Sequence, residues 1–230
     1  MKTIVILQPV YGNQKRAIRS LKALIDNELK ALEVECEISV TPEGWAELQL
    51  EGEDEEVSAN FLHSKYGSPV KKAEVGKLYK GFIKAVEEAV IIVDIGFPVK
   101  LGAEELKGLG RGKPKQLAAR FGIIPFLPVE VEILERKKEL RGSFSKEQLD
   151  RFWAWKKAGT DRVIVNSATR SELKSAIKKT RHGRDIYEIE RLGLLEHAVV
   201  CRESTDGPGI VAAIGPLLKS QLGVVIGKSE

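Results

Sequence analysis

The sequence predicts an α+β protein built from three consecutive parts: an N-terminal α/β unit, a small central β-barrel and a C-terminal βαββαβ unit. Three observations carry this expectation. Ile18, Leu21, Leu24, Ile25, Leu29 and Leu32 recur at helical spacing between strand-like runs. Residues 75–96, VGKLYKGFIKAVEEAVIIVDIG, are rich in β-branched and apolar residues around Gly81, which permits the sharp coiling of a small barrel. Residues 160–230 alternate strand and helix signals with recognisable caps. The expected parts are 1–72, 73–141, a linking helix in 142–159, and 160–230.

In the first part, residues 3–7 read as a strand and Asn13 as the cap of the following helix. Residues 34–40 and 45–50 form a hairpin around Thr41-Pro42-Glu43-Gly44, and Asp54 opens a second helix with Glu55 and Glu56 in its positive first turn. With residues 70–75 as a last strand, the order completes a ferredoxin-like unit. In the last part, residues 161–166 form a strand and Thr169 with Glu172 a capping box. Residues 186–191 and 195–201 make a hairpin, Pro208 starts a helix, and 223–226 closes the set. This order is again ferredoxin-like, and Pro216 is expected to kink or end the last helix early.

Composition places the chain among folded proteins: 230 residues, 43% hydrophobic and 30% charged. No stretch approaches the roughly 20 apolar residues of a membrane helix, and MKTIVILQPV is too short an apolar run for a signal peptide, so a cytoplasmic location without membrane contact is expected. Cys36 and Cys201 stand alone, which predicts buried thiols and no metal site. His63, His182 and His197 are isolated and no nucleophile motif occurs, so neither a catalytic residue nor a cofactor is expected.

Charge is unevenly placed. Residues 1–69 hold 7 Lys/Arg against 12 Asp/Glu, net −5, whereas the remainder holds 30 against 21, net +9. A basic segment of this kind suits a polyanion, whose condensed counterions are released on binding. A solvated surface is the alternative.

The Val75-Gly76 entry, the aromatic Tyr79, Gly81 and the closing Val93-Asp94-Ile95-Gly96 resemble the S-one type of OB-fold barrel, a module named for a ribosomal protein that commonly binds RNA. The resemblance implies an RNA-binding strand carrying Lys77, Tyr79, Phe82 and Lys84, with Phe82 and Lys84 sharing an outer face. The chain departs from the family in its second strand, where Glu88-Ala89-Val90-Ile91 replaces a Phe-Gly-x-Phe pattern. That shifts RNA contact toward the glycine-rich loop of Arg111, Lys113 and Lys115, continuing to Arg120, whose cations could track phosphates. The spacing Gly110-x-Gly112-Lys113 is not that of a P-loop.

Ser145 and Gln148 form a second capping box, followed by Leu149, Phe152 and Trp153 at helical spacing. Trp155 falls off that stripe and, with Arg151, Lys156 and Lys157, could stack a base or meet a protein partner; burial against the barrel is the alternative. Lys174, Lys178, Lys179, Arg181, His182 and Arg184 make a basic helix end, which also complements the helix dipole. Asp206-Gly207-Pro208-Gly209 is similar to the Asp-x-Pro-Gly turn of ACT regulatory domains, implying an alternative ligand site at Asp206, Gly207 and Gly209.

The whole layout resembles an archaeal family of uncharacterised proteins, through Val10-Tyr11-Gly12-Asn13, Gly52-Glu53-Asp54-Glu55 and residues 191–201. It also resembles the stalk subunit of archaeal RNA polymerase. The expected function is non-enzymatic RNA binding in translation or transcription, with ribosomal or transcript RNA or a ribonucleoprotein as partner. A protein-docking module and an ACT-like small-molecule regulator are the alternatives. Nothing in the sequence specifies an oligomeric state.

Overall fold

A computed structural model describes residues 1–136, 138–218 and 220–227. The chain divides into two compact units, Met1–Lys71 and Lys72–Glu230.

The first unit is a three-stranded sheet with two helices. β1 (Lys2–Pro9), β2 (Glu35–Val40) and β3 (Trp45–Glu51) lie in the antiparallel order β1-β3-β2. α1 (Gln14–Leu29) starts where the Asn13 side chain accepts from Arg16 N at 3.1 Å, and it buries Ala17, Leu21, Ile25 and Leu29. The helix stops short of Leu32. α2 (Glu55–Tyr66) follows Asp54, whose carboxylate accepts from Glu33 N at 2.8 Å and so ties the helix start to the chain ahead of β2. The fourth strand expected at 70–75 is irregular chain, and the sheet ends at three strands. Its Val70-Lys71-Lys72-Ala73-Glu74-Val75 has too few apolar residues for a sheet partner to bury.

The second unit opens with a closed five-stranded barrel. β4 (Leu78–Val86), β5 (Ile91–Asp94), β6 (Pro98–Leu101), β7 (Pro128–Arg136) and β8 (Leu140–Phe144) pair in the cyclic order β4-β5-β6-β8-β7. The β6·β8 pair is parallel and the other four are antiparallel. Closure is tight at Gly81: a Cβ there would stand 2.6 Å from Asp94 O and 2.7 Å from Ile95 Cγ2. The connection from β6 to β7 holds a 3-10 turn at Lys107–Leu109 and α3 (Pro114–Arg120).

α4 (Lys146–Lys157) begins at Ser145, whose side chain accepts from Gln148 N at 3.1 Å. Only half of the expected capping box forms, because Gln148 Oε1 turns to accept from Glu130 N at 3.3 Å. The region 142–159 is therefore the end of β8 followed by α4, and Phe152 packs on Phe144 and Phe121 with ring centroids 5.3 and 6.2 Å apart.

The C-terminal sheet contains β9 (Arg162–Val165), β10 (Ile186–Arg191), β11 (His197–Cys201) and β12 (Leu222–Val225), all neighbours antiparallel, in the order β10-β11-β9-β12. α5 (Arg170–Lys179) and α6 (Gly207–Leu218) cover one face over a core of Val163, Val165, Leu173, Ile177, Val199, Ile210 and Ile214. α6 runs two residues beyond Pro216 before ending. Ile164 and Ala198 point to the opposite face and are also buried. The chain after α3 closes on this sheet: Asn166 Nδ2 donates to Pro125 O, and a Cβ on Gly122 would meet Val225 Cγ2 at 2.7 Å. Chain thus packs against both faces of the sheet, and β10 and β12 are its edge strands among the described residues.

Candidate nucleic-acid interface

The C-terminal unit carries a basic groove beside that edge. Thr169 starts α5 with a complete capping box: its Oγ1 accepts from Glu172 N at 3.2 Å and its own N–H donates to Glu172 Oε2 at 2.7 Å. Leu173, Ala176 and Ile177 turn the helix onto the sheet, which leaves Arg170, Lys174 and Lys178 on its exposed side at successive four-residue steps. Arg181 takes a left-handed conformation at φ 64°, reversing the chain into a 3-10 turn at His182–Arg184 and then β10. The resulting open groove, of about 780 Å³, is walled by Arg170, Lys174, Lys178, Arg181 and Arg184, with Ile177, Ile186 and Ile189 as its apolar part.

These five cations have no carboxylate at ion-pair distance among the described residues. Glu188 is the one acid in the lining. Like charges four apart on a helix cost roughly 0.2–0.5 kcal/mol per pair, so the Arg170-Lys174-Lys178 stripe is held against its own repulsion. On the groove's strand side, Tyr187 is 68% exposed, and Arg202 lies over its ring with Cζ 5.9 Å from the centroid. A second hollow, of about 570 Å³, adjoins the same tyrosine and is lined by Thr160, Arg162, Val200, Arg202 and Glu203 among others.

The barrel residues expected to bind nucleic acid are differently placed. Lys84 pairs with Asp94 at 2.9 Å, Lys77 with Glu74 at 2.8 Å, and Lys113 with Glu88 at 3.0 Å, with Lys115 3.9 Å from the same carboxylate. One carboxylate of the acidic turn between β4 and β5 thereby engages Lys113 and Lys115, two of the four cations of the loop expected to track phosphates. Tyr79 uses its hydroxyl to accept from Glu74 N at 2.9 Å.

Phe82 corrects the expected face: it is 6% exposed, because α3 and the chain entering β7 lie against β4 and a register shift follows Ile83. Trp155 corrects the second expected stacking ring. It is also 6% exposed, packed on Phe152 at 5.8 Å and beneath Arg162 at 6.0 Å. Lys156 donates to Ile226 O at 2.6 Å. Arg111, Arg120, Arg151 and Lys179 are exposed but lie outside the groove lining, which takes in Lys178, Arg181 and Arg184 from the expected set.

Three family models match the chain in series: the DUF2110 N-terminal domain over residues 3–72, the DUF2110 central domain over 73–156 and the DUF2110 C-terminal domain over 160–226. The chain belongs to the DUF2110 family. No curated protein matches it. Similar solved structures include an uncharacterised protein from Methanocaldococcus jannaschii, 14% identical over 33% of this chain and 96% of its own, with a TM-score of 0.25. Another is a multidomain protein with nucleic acid binding domains from Streptococcus pneumoniae, 8% identical over 82% of this chain and 53% of its own, with a TM-score of 0.24. Scores this low carry no argument about the present chain.

Other chemistry in this DUF2110 chain is limited by burial. Desolvation pushes the Cys36 and Cys201 thiols up to about 11, away from nucleophilic thiolates. Among the described residues no group of three or more His, Cys, Asp or Glu side chains could hold a metal ion, and no helix is long and apolar enough to cross a membrane. The turn similar to ACT domains has its donors engaged: Gly207 N donates to Asp161 Oδ2 and Gly209 N to Asp206 Oδ2, both at 2.9 Å. A ligand carboxylate at Gly207 and Gly209 would have to displace those two aspartates.

Sequence reasoning passed over Arg170, Tyr187 and Arg202. The four-residue steps from Arg170 to Lys178 are legible as one exposed stripe. Tyr187 gives no such signal, since its exposure depends on β10 being the sheet edge.

Proposed function

We propose that this chain is a non-enzymatic RNA-associated protein that holds the backbone of ribosomal or transcript RNA in the groove between α5 and β10. The observation that carries this reading is five cations without carboxylate partners around one groove, in a chain whose barrel cations are mostly paired. The barrel order, with first strand beside fourth and third parallel to fifth, supports an S-one-like OB module; the β12-β9-β11-β10 order supports a ferredoxin-like C-terminal unit. Action in archaeal translation or transcription, in the cytoplasm, is the setting this reading implies.

Titration of labelled single-stranded RNA across salt concentrations tests it. Five phosphate contacts predict a log–log salt slope near −3.5 at roughly 0.7 per contact. Replacing Lys174, Lys178 and Arg181 by Gln is expected to bring the slope to about −1.4, whereas Gln at Lys84, Lys113 and Lys115 leaves it unchanged. No binding at low salt, or a slope lost only in the barrel variant, refutes the reading.

A further inference from the structure

We infer that the groove takes a short single strand, with one base unstacked onto Tyr187 and its neighbour entering the hollow on the far side of that ring. The inference rests on the RNA reading and narrows it. The stripe from Arg170 to Lys178 advances eight residue steps, about 12 Å along the helix at 1.5 Å per residue. A duplex strand passes a phosphate every 3.4 Å or so of axis, so the stripe meets only a few successive phosphates. Opposite it stands a largely exposed ring, and bases inside a duplex present no free face to such a ring.

Two further features favour an unpaired strand. β10 bonds to β11 on one side only, and among the described residues no strand pairs with its outer edge. Its outward N–H and C=O groups can therefore meet base edges, which are exposed when the strand is unpaired. Beyond Tyr187, Arg162 lines the second hollow with Nη2 3.3 Å from Glu190 Oε1, while its Nε and Nη1 are buried without a hydrogen-bond partner. Those two atoms are shielded from solvent, so Arg162 brings positive charge to the wall of the hollow rather than open donors. Arg202, already over the ring, supplies a second cation there. Four or five nucleotides span the stripe, the ring and the hollow, near the low end of single-strand site sizes.

The test uses the whole chain and fluorescence anisotropy with oligouridylates of graded length and a duplex RNA of equal phosphate number. Affinity is expected to rise steeply up to about five nucleotides and only gradually beyond, with single strand favoured over duplex by tenfold or more. Tyr187→Ala should weaken single-strand binding about 5- to 150-fold, leave the salt slope and duplex binding unchanged, and be rescued by Tyr187→Phe. Equal affinity for duplex, or a Tyr187→Ala variant that binds like wild type, overturns the inference while the groove's salt slope keeps the RNA reading intact. Capture of a poly-glutamate peptide in place of RNA overturns both.

Discussion

His197 offers a prediction whose size follows directly from its surroundings. It lies on β11 opposite Val165, wholly buried, and neither ring nitrogen has a hydrogen-bond partner. Burial, followed by the positive charges of Arg191 and Arg170, pushes its pKa from 6.5 down to about 4; the Ala168 backbone opposes this weakly without reaching hydrogen-bond geometry. The folded state therefore keeps the ring neutral while the unfolded chain takes up a proton below pH 6.5. Stability is at its full value above that pH and declines as pH falls toward 4, where the loss levels off. At roughly 1.4 kcal/mol per pH unit the window is worth about 3 kcal/mol. Two assays check it. With only three histidines in the chain, one imidazole resonance, identified by its absence in His197→Phe, should titrate near pH 4. Denaturant unfolding at pH 7.5 and 4.5, followed by Trp153 and Trp155 in a Trp45→Phe background, should show wild type losing more stability than the His197→Phe variant. A resonance titrating near 6.5, or parallel losses in the two proteins, refutes the reasoning.

Two further perturbations probe the scaffold. Gly81→Ala forces a Cβ to within 2.6 Å of Asp94 O and 2.7 Å of Ile95 Cγ2, and since the backbone atom has no rotamer to yield, thermal denaturation should show about 1–3 kcal/mol of destabilisation. Phe152→Ala removes a fully buried ring that touches Phe121, Phe144 and Trp155, with an expected cost of about 3–5 kcal/mol and a changed Trp155 emission.

Much of this fold was legible where local chemistry decides it. Asn13 and Thr169 each act on a backbone amide three residues ahead, and each does what its residue type predicts. Misreadings arose where distant chain intervenes. α4 buries Gln148, Phe152 and Trp155, whereas Leu149 and Trp153 of the expected stripe pack half-buried against Gly108 and Phe121. The place of Gln148 on that face was hidden, because its Oε1 accepts from the Glu130 N–H eighteen residues earlier. Phe82 has the alternation of an outward residue, but α3 packs on that strand. For the site, the basic composition of 170–184 is readable one residue at a time. Which cations of a chain remain unpaired is not, since partners come from far away: Glu88 meets two loop lysines twenty-five and twenty-seven positions on.

That distribution of pairing explains why the groove, and not the barrel, is the stronger place for a polyanion. An incoming phosphate at Lys84 or Lys113 must compete with a carboxylate already in place, and the displaced Asp94 or Glu88 then repels it. At Arg170, Lys174 and Lys178 the same phosphate relieves a like-charge repulsion instead, so its gain adds to the helix's own stability. α5 and α6 cover one sheet face, and the chain after α3 packs on part of the other through Asn166 and Val225. Among the described residues no strand pairs with the outer side of β10, and it is the edge on which the unpaired cations and Tyr187 converge. A ligand that both cancels those charges and brings polar groups to an unpaired strand edge meets the two unmet demands of this unit at once.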